Sequence, residues 1–292
     1  MQQFINTALG GLTLGMVYAA FALALVLIWR STRIVNFAQA PMAMMTTFVA
    51  LVVIDAGYSY WLGFAAALVS GLVLGAVLER VVVRPVEGKA EINAVILTLG
   101  LFIVIHGLAA VIFGNRYRSF PAPFGLRGIK VGDSTIALNG FGIFTIVSVL
   151  IVMALLVALF RFTDLGLRMR ASAFNQEVAR LLGVRVGQML TLGWALAALV
   201  GSLAGLLIAG GSLVHPGFMD SVVVYGFVAA VLGGLDSPLG AVVGGLLLGL
   251  SLSFVSGYVG SQLVALAALV ILMLVLTLRP GGIFAQTAER RV

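Results

Sequence analysis

The stretch Arg161–Arg185, RFTDLGLRMRASAFNQEVARLLGVR, holds the densest set of chemically capable groups in the chain: five Arg, one Asp and one Glu. Such a set suits ion pairing and hydrogen bonding to a surface better than bond making. Within it Ser172–Gly183 reads as a short helix, with Ser172 placed to cap its start and Gly183 placed to end it in a left-handed conformation. Phe174, Val178, Leu181 and Leu182 fall at i, i+4, i+7 and i+8 and share one face. Asn175, Gln176, Glu177 and Arg180 take the other positions, and Glu177 and Arg180 are spaced to pair along the helix. A helix this short is marginal alone in water and needs a surface to lie on. Two surfaces fit: a separate protein, or the chain's own bundle and the lipid around it.

Other chemistry is missing from the sequence. There is no G-x-x-x-x-G-K-[ST], and the two Lys, 89 and 130, sit in unrelated contexts, so the chain carries no nucleotide site of its own. No His, Asp or Glu cluster has metal-ligand spacing, and no nucleophile–base pair stands out. Asp55, Asp220 and Asp236 lie near the ends of apolar runs, whereas an ion- or proton-driven carrier needs carboxylates inside the membrane.

The elements that position the charged island are apolar. Of 292 residues 62% are hydrophobic and 9% charged, and the mean hydropathy is +1.18. A surface so short of polar groups belongs in lipid, which identifies a polytopic membrane protein. The absence of Cys removes disulfides and thiolate metal sites. A net charge of +7 is what basic cytoplasmic loops produce and does not require nucleic acid. No basic segment precedes the first apolar run, Ala8–Trp29, which reads as a retained membrane helix.

That run ends at Arg30 and Arg33. Asn36, Gln39 and Pro41 then interrupt an apolar stretch reaching Ile54. Pro disfavours helix at the preceding residue, so a new helix is expected to start near Pro41. Two readings fit Asn36 and Gln39: a helix broken inside the membrane against protein or a watery cavity, or the water-exposed end of an ordinary helix. Further runs cover Trp61–Leu78, Ile92–Phe113 and Phe141–Phe160. His106, mid-run, is expected to be neutral and hydrogen-bonded to a neighbouring helix. Residues 114–140 form a polar external loop, with a hairpin expected from Ile129–Val131 and Thr135–Leu138 about a turn at Gly132–Asp133.

After the island, Met189–Ala209 carries Ala197, Gly201, Gly205 and Ala209 at four-residue spacing, a ridge that admits another helix closely. Gly210–Asp220, with His215 and Pro216, breaks the pattern. Ser221–Leu235 is too short for an untilted span and ends in Gly233–Gly240, GGLDSPLG. A second small-residue ridge, Gly240, Gly244 or Gly245, and Gly249, lies in or beside Ala241–Val255, and Gln262–Leu278 is the last span. The total is eight or nine membrane segments, including broken or short helices, with no domain boundary in 1–292. Leu-Thr-Leu-Gly recurs at 12–15, 97–100 and 190–193 without defining a repeat. Arg30/Arg33, the Arg80–Lys89 cluster, the island and the tail with Arg279, Arg290 and Arg291 all fall on one face, which the positive-inside rule makes cytoplasmic. Arg116, Arg118, Arg127 and Lys130 oppose the rule on the other face.

In order and spacing, Ile34-Val35-Asn36-Phe37-Ala38-Gln39, Glu79-Arg80-Val81-Val82-Val83-Arg84-Pro85, Gly166-Leu167-Arg168-Met169-Arg170-Ala171 continuing to Ala179-Arg180-Leu181-Leu182-Gly183-Val184, Val231-Leu232-Gly233-Gly234-Leu235-Asp236-Ser237-Pro238-Leu239-Gly240-Ala241 and Arg279-Pro280-Gly281-Gly282 resemble the LivH-type permeases of bacterial branched-chain amino-acid ABC importers. The resemblance covers nearly the whole chain. It implies a single all-α transmembrane permease domain with the ABC importer permease fold in the bacterial inner membrane, with external loop 114–140 and cytosolic coupling loop 161–188. It implies no cofactor on this chain, ATP and Mg on two cytosolic ATPase subunits, a second homologous permease, and a periplasmic or lipid-anchored substrate-binding protein. Arg168, Arg170, Ser172, Phe174, Asn175, Glu177, Val178, Arg180, Leu181, Leu182 and Gly183 take the ATPase-coupling role. Asn36, Phe37, Gln39, Thr98, Gly100, Gly233 and Gly234 take the substrate path. Where relatives commonly have Gly after the Ala-Gln or Ala-His pair this chain has Ala40-Pro41, which leaves the substrate open among branched-chain amino acids, amides, urea and other small organic compounds. The alternative is an ion- or proton-coupled secondary carrier, whose broken helices would look the same. A passive pore would give the charged island no task.

Overall fold

The computed structural model describes residues 1–86, 91–131 and 134–284. Glu87 and Lys89 of the basic cluster, the Gly132–Asp133 turn, and Arg290 and Arg291 of the tail lie outside the described residues.

Eleven α-helices are described: α1 (Gln2–Thr32), α2 (Gln39–Asp55), α3 (Tyr60–Leu78), α4 (Glu91–Phe113), α5 (Gly140–Phe162), α6 (Asp164–Phe174), α7 (Gln176–Leu181), α8 (Val186–Ala209), α9 (Asp220–Gly233), α10 (Pro238–Phe254) and α11 (Val264–Leu278). A π-turn, Glu79–Val83, and a 3-10 turn, Arg84–Val86, extend α3, and a second π-turn, Val255–Val259, extends α10. Among the described residues seven helical spans are long and apolar enough to cross a membrane, and α2 and α9 are shorter apolar helices. The nine together meet the expectation of eight or nine segments with short or broken members. The chain is an all-helical, multi-pass membrane protein.

Burial ranks the helices. α1 and α8 are enclosed along most of their length, whereas α3, α4, α5 and α11 turn large apolar side chains outward. In lipid that exposure costs nothing, because the solvent is itself apolar. Close approach in the centre comes from glycine. A Cβ on Gly245 would strike the Ala19 backbone, and one on Gly249 the Gly15 backbone, so the second small-residue ridge seats α10 against α1. The first ridge seats α8 against α2, with Gly205 facing the Ala43 carbonyl and Thr47.

The end of the bundle carrying the N-terminus is tied by Gln3 Nε2 donating to the Gly257 carbonyl (3.2 Å) and Ala137 N donating to Asn6 Oδ1 (2.8 Å). Here sits the expected hairpin, β2 (Gly128–Val131) antiparallel to β3 (Ser134–Asn139). An unforeseen pair, β1 (Arg118–Ser119) with β4 (Leu213–Val214), stitches this cap to the α8–α9 loop. Trp61, Phe124 and Phe144 stack edge-on or tilted beneath it. Arg33 and Asp236 form an ion pair at the opposite end.

Candidate functional site

The charged loop is two helices rather than one. The expected helix Ser172–Gly183 breaks at Asn175, whose extended backbone ends α6 and whose Oδ1 accepts from Val178 N (3.0 Å) to cap α7. Ser172 is therefore no cap. It lies buried inside α6, its hydroxyl donating back to the Arg168 carbonyl (2.9 Å). The cap of α6 is Thr163, which accepts from Gly166 N (3.1 Å). Both Asn175 and Ser172 are good caps in isolation. The structure uses Asn175, whose i+3 amide, Val178 N, opens a helix that ends at Gly183. Gly183 adopts φ +80°, as expected of its terminating position.

Phe174 consequently sits at the end of α6, and Val178 and Leu181 on α7, with Leu182 just past its end. They remain apolar and outward: Phe174 is 94% exposed, Leu181 87% and Leu182 75%. The inner side of α7 is Ala179, which packs on Val186 and Leu190 of α8. Arg168, Gly183 and Arg185 line a cleft with Gln188 and Met189. A second small cavity between α1, α6 and α8 is lined by Arg30, Ser31, Arg170 and apolar side chains including Met169. Bare aromatic and aliphatic groups of this kind mark a surface that meets a protein or a membrane.

The broken helix is the other candidate. Ile34–Ala38 runs without helix between α1 and α2, and Asn36 and Gln39 are 1% and 0% exposed. The water-exposed-end reading is therefore excluded in favour of a break inside the protein. Asn36 Oδ1 accepts from Ala38 N (3.0 Å), and its Nδ2 donates to Gln39 Oε1 (3.1 Å). Gln39 Nε2 donates to the Ala197 carbonyl of α8 (2.9 Å), and Thr98 Oγ1 of α4 shares its proton between the Val35 carbonyl (3.2 Å) and its own helix at the Val95 carbonyl (3.1 Å). The break is thus held by α4 and α8 through polar groups that satisfy one another, as buried amides must. Phe37 leans on Phe227 of α9, ring centroids 6.4 Å apart.

Gly233 and Gly234 lie at a different point, the α9–α10 turn, where Gly233 and Gly240 meet backbone to backbone. There Ile283 N and Phe284 N donate to the Leu232 and Gly233 carbonyls (2.9 and 3.2 Å), so the residues after Arg279-Pro280-Gly281-Gly282 cap α9. Gly100 faces open space on α4. His106 does not form the expected cross-helix hydrogen bond: its Nε2 stands 3.7 Å from Asp220 Oδ2, beyond bonding distance. Among the described residues no three His, Asp or Glu side chains converge as a metal ion would require.

Residues 7–278 match the family described as branched-chain amino acid transport system / permease component. The chain is 28% identical to the high-affinity branched-chain amino acid transport system permease protein LivH of Salmonella typhimurium, over 99% of this chain and 98% of that one. It is equally identical to BraD, the permease protein of the corresponding system of Pseudomonas aeruginosa, over 100% and 98% of the two chains. A probable LivH of Methanocaldococcus jannaschii is 26% identical over 90% of this chain and 86% of that one. Among solved structures, PsaBC from Streptococcus pneumoniae in complex with Fab aligns with a TM-score of 0.50 at 17% identity, covering 94% of this chain and 91% of that chain, which speaks to the fold alone.

Proposed function

The chain belongs to the family of branched-chain amino acid transport system permease components, and from that membership we propose that it is the membrane-spanning subunit of an ATP-driven importer for branched-chain amino acids or related small amides. It is a transport subunit and not an enzyme. Its reading as an ion- or proton-coupled carrier is the weaker one, because the family match runs across nearly the whole chain. In the proposed assembly it pairs with a second homologous permease in the bacterial inner membrane. Two cytosolic ATPases, carrying ATP and Mg, bind one face, and a binding protein delivers substrate to the other.

One observation carries the docking assignment: Phe174, Leu181 and Leu182 stand bare on a basic loop that joins membrane helices. Removing that apolar surface from water is worth about 25 cal/mol per Å², and an ATPase groove would remove it. The guanidinium groups of Arg168, Arg170 and Arg180, with Asn175 and Glu177, surround the apolar contacts. Closure of the ATPases would displace α6 and α7, and the glycine-seated α1, α8 and α10 would pass the displacement to the broken helix at Asn36–Gln39. Pumping demands that the two states bind substrate differently, and a rearranged polar node supplies such a difference. Phe37, Thr98, Gly100, Gly233 and Gly234 complete the proposed path.

Leu181→Asp with Leu182→Asp tests the docking. The substituted permease is expected to insert and fold yet fail to co-purify with the ATPases, and to lose substrate-stimulated ATP hydrolysis. Unchanged association and stimulation would remove the loop from the coupling role.

A further inference from the structure

Arg84 follows the π-turn at the cytoplasmic end of α3, in the stretch Glu79-Arg80-Val81-Val82-Val83-Arg84-Pro85. Its Nη2 lies 3.0 Å from Glu79 Oε1 and 2.9 Å from Oε2, and its Nε donates to Oε1 at 3.1 Å. The same Nη2 reaches the Gly187 carbonyl (2.6 Å) and Thr191 Oγ1 (2.7 Å), both in the first turns of α8. Thr191 Oγ1 is 2.7 Å from Glu79 Oε2, closing the ring. The Glu79 side chain is only 2% exposed, so this carboxylate depends on Arg84 for its charge balance.

The position of this ring gives it a task. α8 begins three residues after Gly183, and its Val186 and Leu190 carry Ala179 of α7. The turn of α8 that receives α7 is therefore the turn gripped by Arg84. Farther along, Gly71 and Gly75 bring α3 against Ser202, Ala198 and Trp194 of α8, so the two helices also meet without slack inside the membrane. π-turns occur frequently at functional sites, and this one brings Glu79 and Arg84 onto the same α8 turn.

We infer that Arg84 is a positioning residue for energy coupling: with Glu79 and Thr191 it clamps the start of α8 to α3, so that a displacement of α7 moves both helices as one body. The inference rests on the coupling role proposed for α6 and α7.

Arg84→Lys and Thr191→Val test it in the complete importer in proteoliposomes, with Arg80→Lys, at an exposed neighbour, as control. Lys lacks the planar fork that holds Glu79 while reaching α8, and Val removes the Thr191 link while leaving the Glu79–Arg84 pair and the Gly187 contact. Both are expected to assemble with the ATPases and hydrolyse ATP near the wild-type rate, while substrate moved per ATP falls about tenfold or more, the scale of a lost charged hydrogen bond. Unchanged transport per ATP in the assembled variants overturns the clamp, since a merely structural role lowers yield and melting temperature alone. A partner-free measurement separates this from the assignment of function. The chain has no Cys, so spin labels at Val81→Cys and Leu182→Cys report the distance from α3 to the loop in the isolated permease. That distribution is expected to be narrow in wild type and broad in Arg84→Lys, and an equally narrow one overturns the clamp. If wild type itself recruits no ATPase, the coupling role falls while the distance result stands.

Discussion

Gln39 and Gly201 meet across the α2–α8 interface: the Gln39 carboxamide fills the space a side chain at 201 would need, and its Nε2 donates to the Ala197 carbonyl one turn earlier. A glycine is required there because a buried amide has to reach a helix backbone. The amide is required because the chain between α1 and α2 is broken inside the protein, and its polar groups need partners.

Gly201→Val is therefore expected to drive Gln39 off the Ala197 carbonyl. Overpacking of this kind costs about 1–3 kcal/mol, read as a lowered melting temperature of the isolated permease in detergent. Gln39→Leu keeps the volume but leaves the Asn36 amide only the weak Met42 sulfur acceptor at 3.6 Å, and is expected to cost a similar ~1–3 kcal/mol. If Gly201→Val melts as wild type does, the α2–α8 contact is looser than its geometry.

Much of this was legible beforehand, for identifiable reasons. The ridge Ala197, Gly201, Gly205, Ala209 announced a close helix contact because period and residue size alone produce one. The hairpin at 128–139 announced itself by alternation. What the ridge faced could not be read, because α2 is distant in sequence and the Gln39–Ala197 bond is a tertiary fact. The β1–β4 pair was invisible for the same reason: Arg118 and Val214 pair across almost a hundred residues, and two-residue strands leave no pattern. In the charged loop the helix was foreseen but its break was not. Ser172 and Asn175 are equally good caps locally, and only the docking of Ala179 onto Val186 and Leu190 selects between them.

That selection has a measurable consequence. Asn175→Ala removes the acceptor for Val178 N and is expected to cost α7 about 1 kcal/mol, seen as faster amide exchange over 176–182 with the membrane core unchanged. Ser172→Ala, which loses only a hydroxyl bonded back to the Arg168 carbonyl, is expected to leave exchange in that segment near wild type. Equal effects from the two would restore Ser172 as the cap.

The glycines of α10 and α4 make a second contrast. At Gly249 a Cβ meets the Gly15 backbone, which has nowhere to go, whereas Gly107 faces open space. Gly249→Val is expected to prevent the α1–α10 contact and lower the folded yield steeply, a cost at or above the roughly 3 kcal/mol end of overpacking. Gly107→Ala is expected to leave the isolated chain as stable as wild type or more so by up to about 1 kcal/mol, from helix propensity. Yield and melting temperature of the two purified variants check both signs.

Arg33 and Asp236 close the end of the bundle opposite the N-terminus, and their energetics oppose one another. Asp236 pairs with Arg33 and accepts from Trp29 Nε1 at 3.3 Å, but both members of the ion pair are more than half exposed. Such a pair contributes about 0–1 kcal/mol and is screened by salt. Arg33 also adopts φ 57°, left-handed and unusual for a residue with a side chain. Arg33→Gly therefore loses the pair while relieving the backbone, and relief at such sites is worth up to about 1 kcal/mol. The two nearly cancel, so its melting temperature is expected to match wild type at low salt and to exceed it slightly at high salt. Asp236→Asn keeps the Trp29 acceptor and loses only the charge, so it is expected to be slightly destabilised at low salt and unchanged at high salt. A large, salt-independent loss in Asp236→Asn would mean that the pair is shielded from water in the folded permease, as a partner subunit seated over the α9–α10 turn would make it.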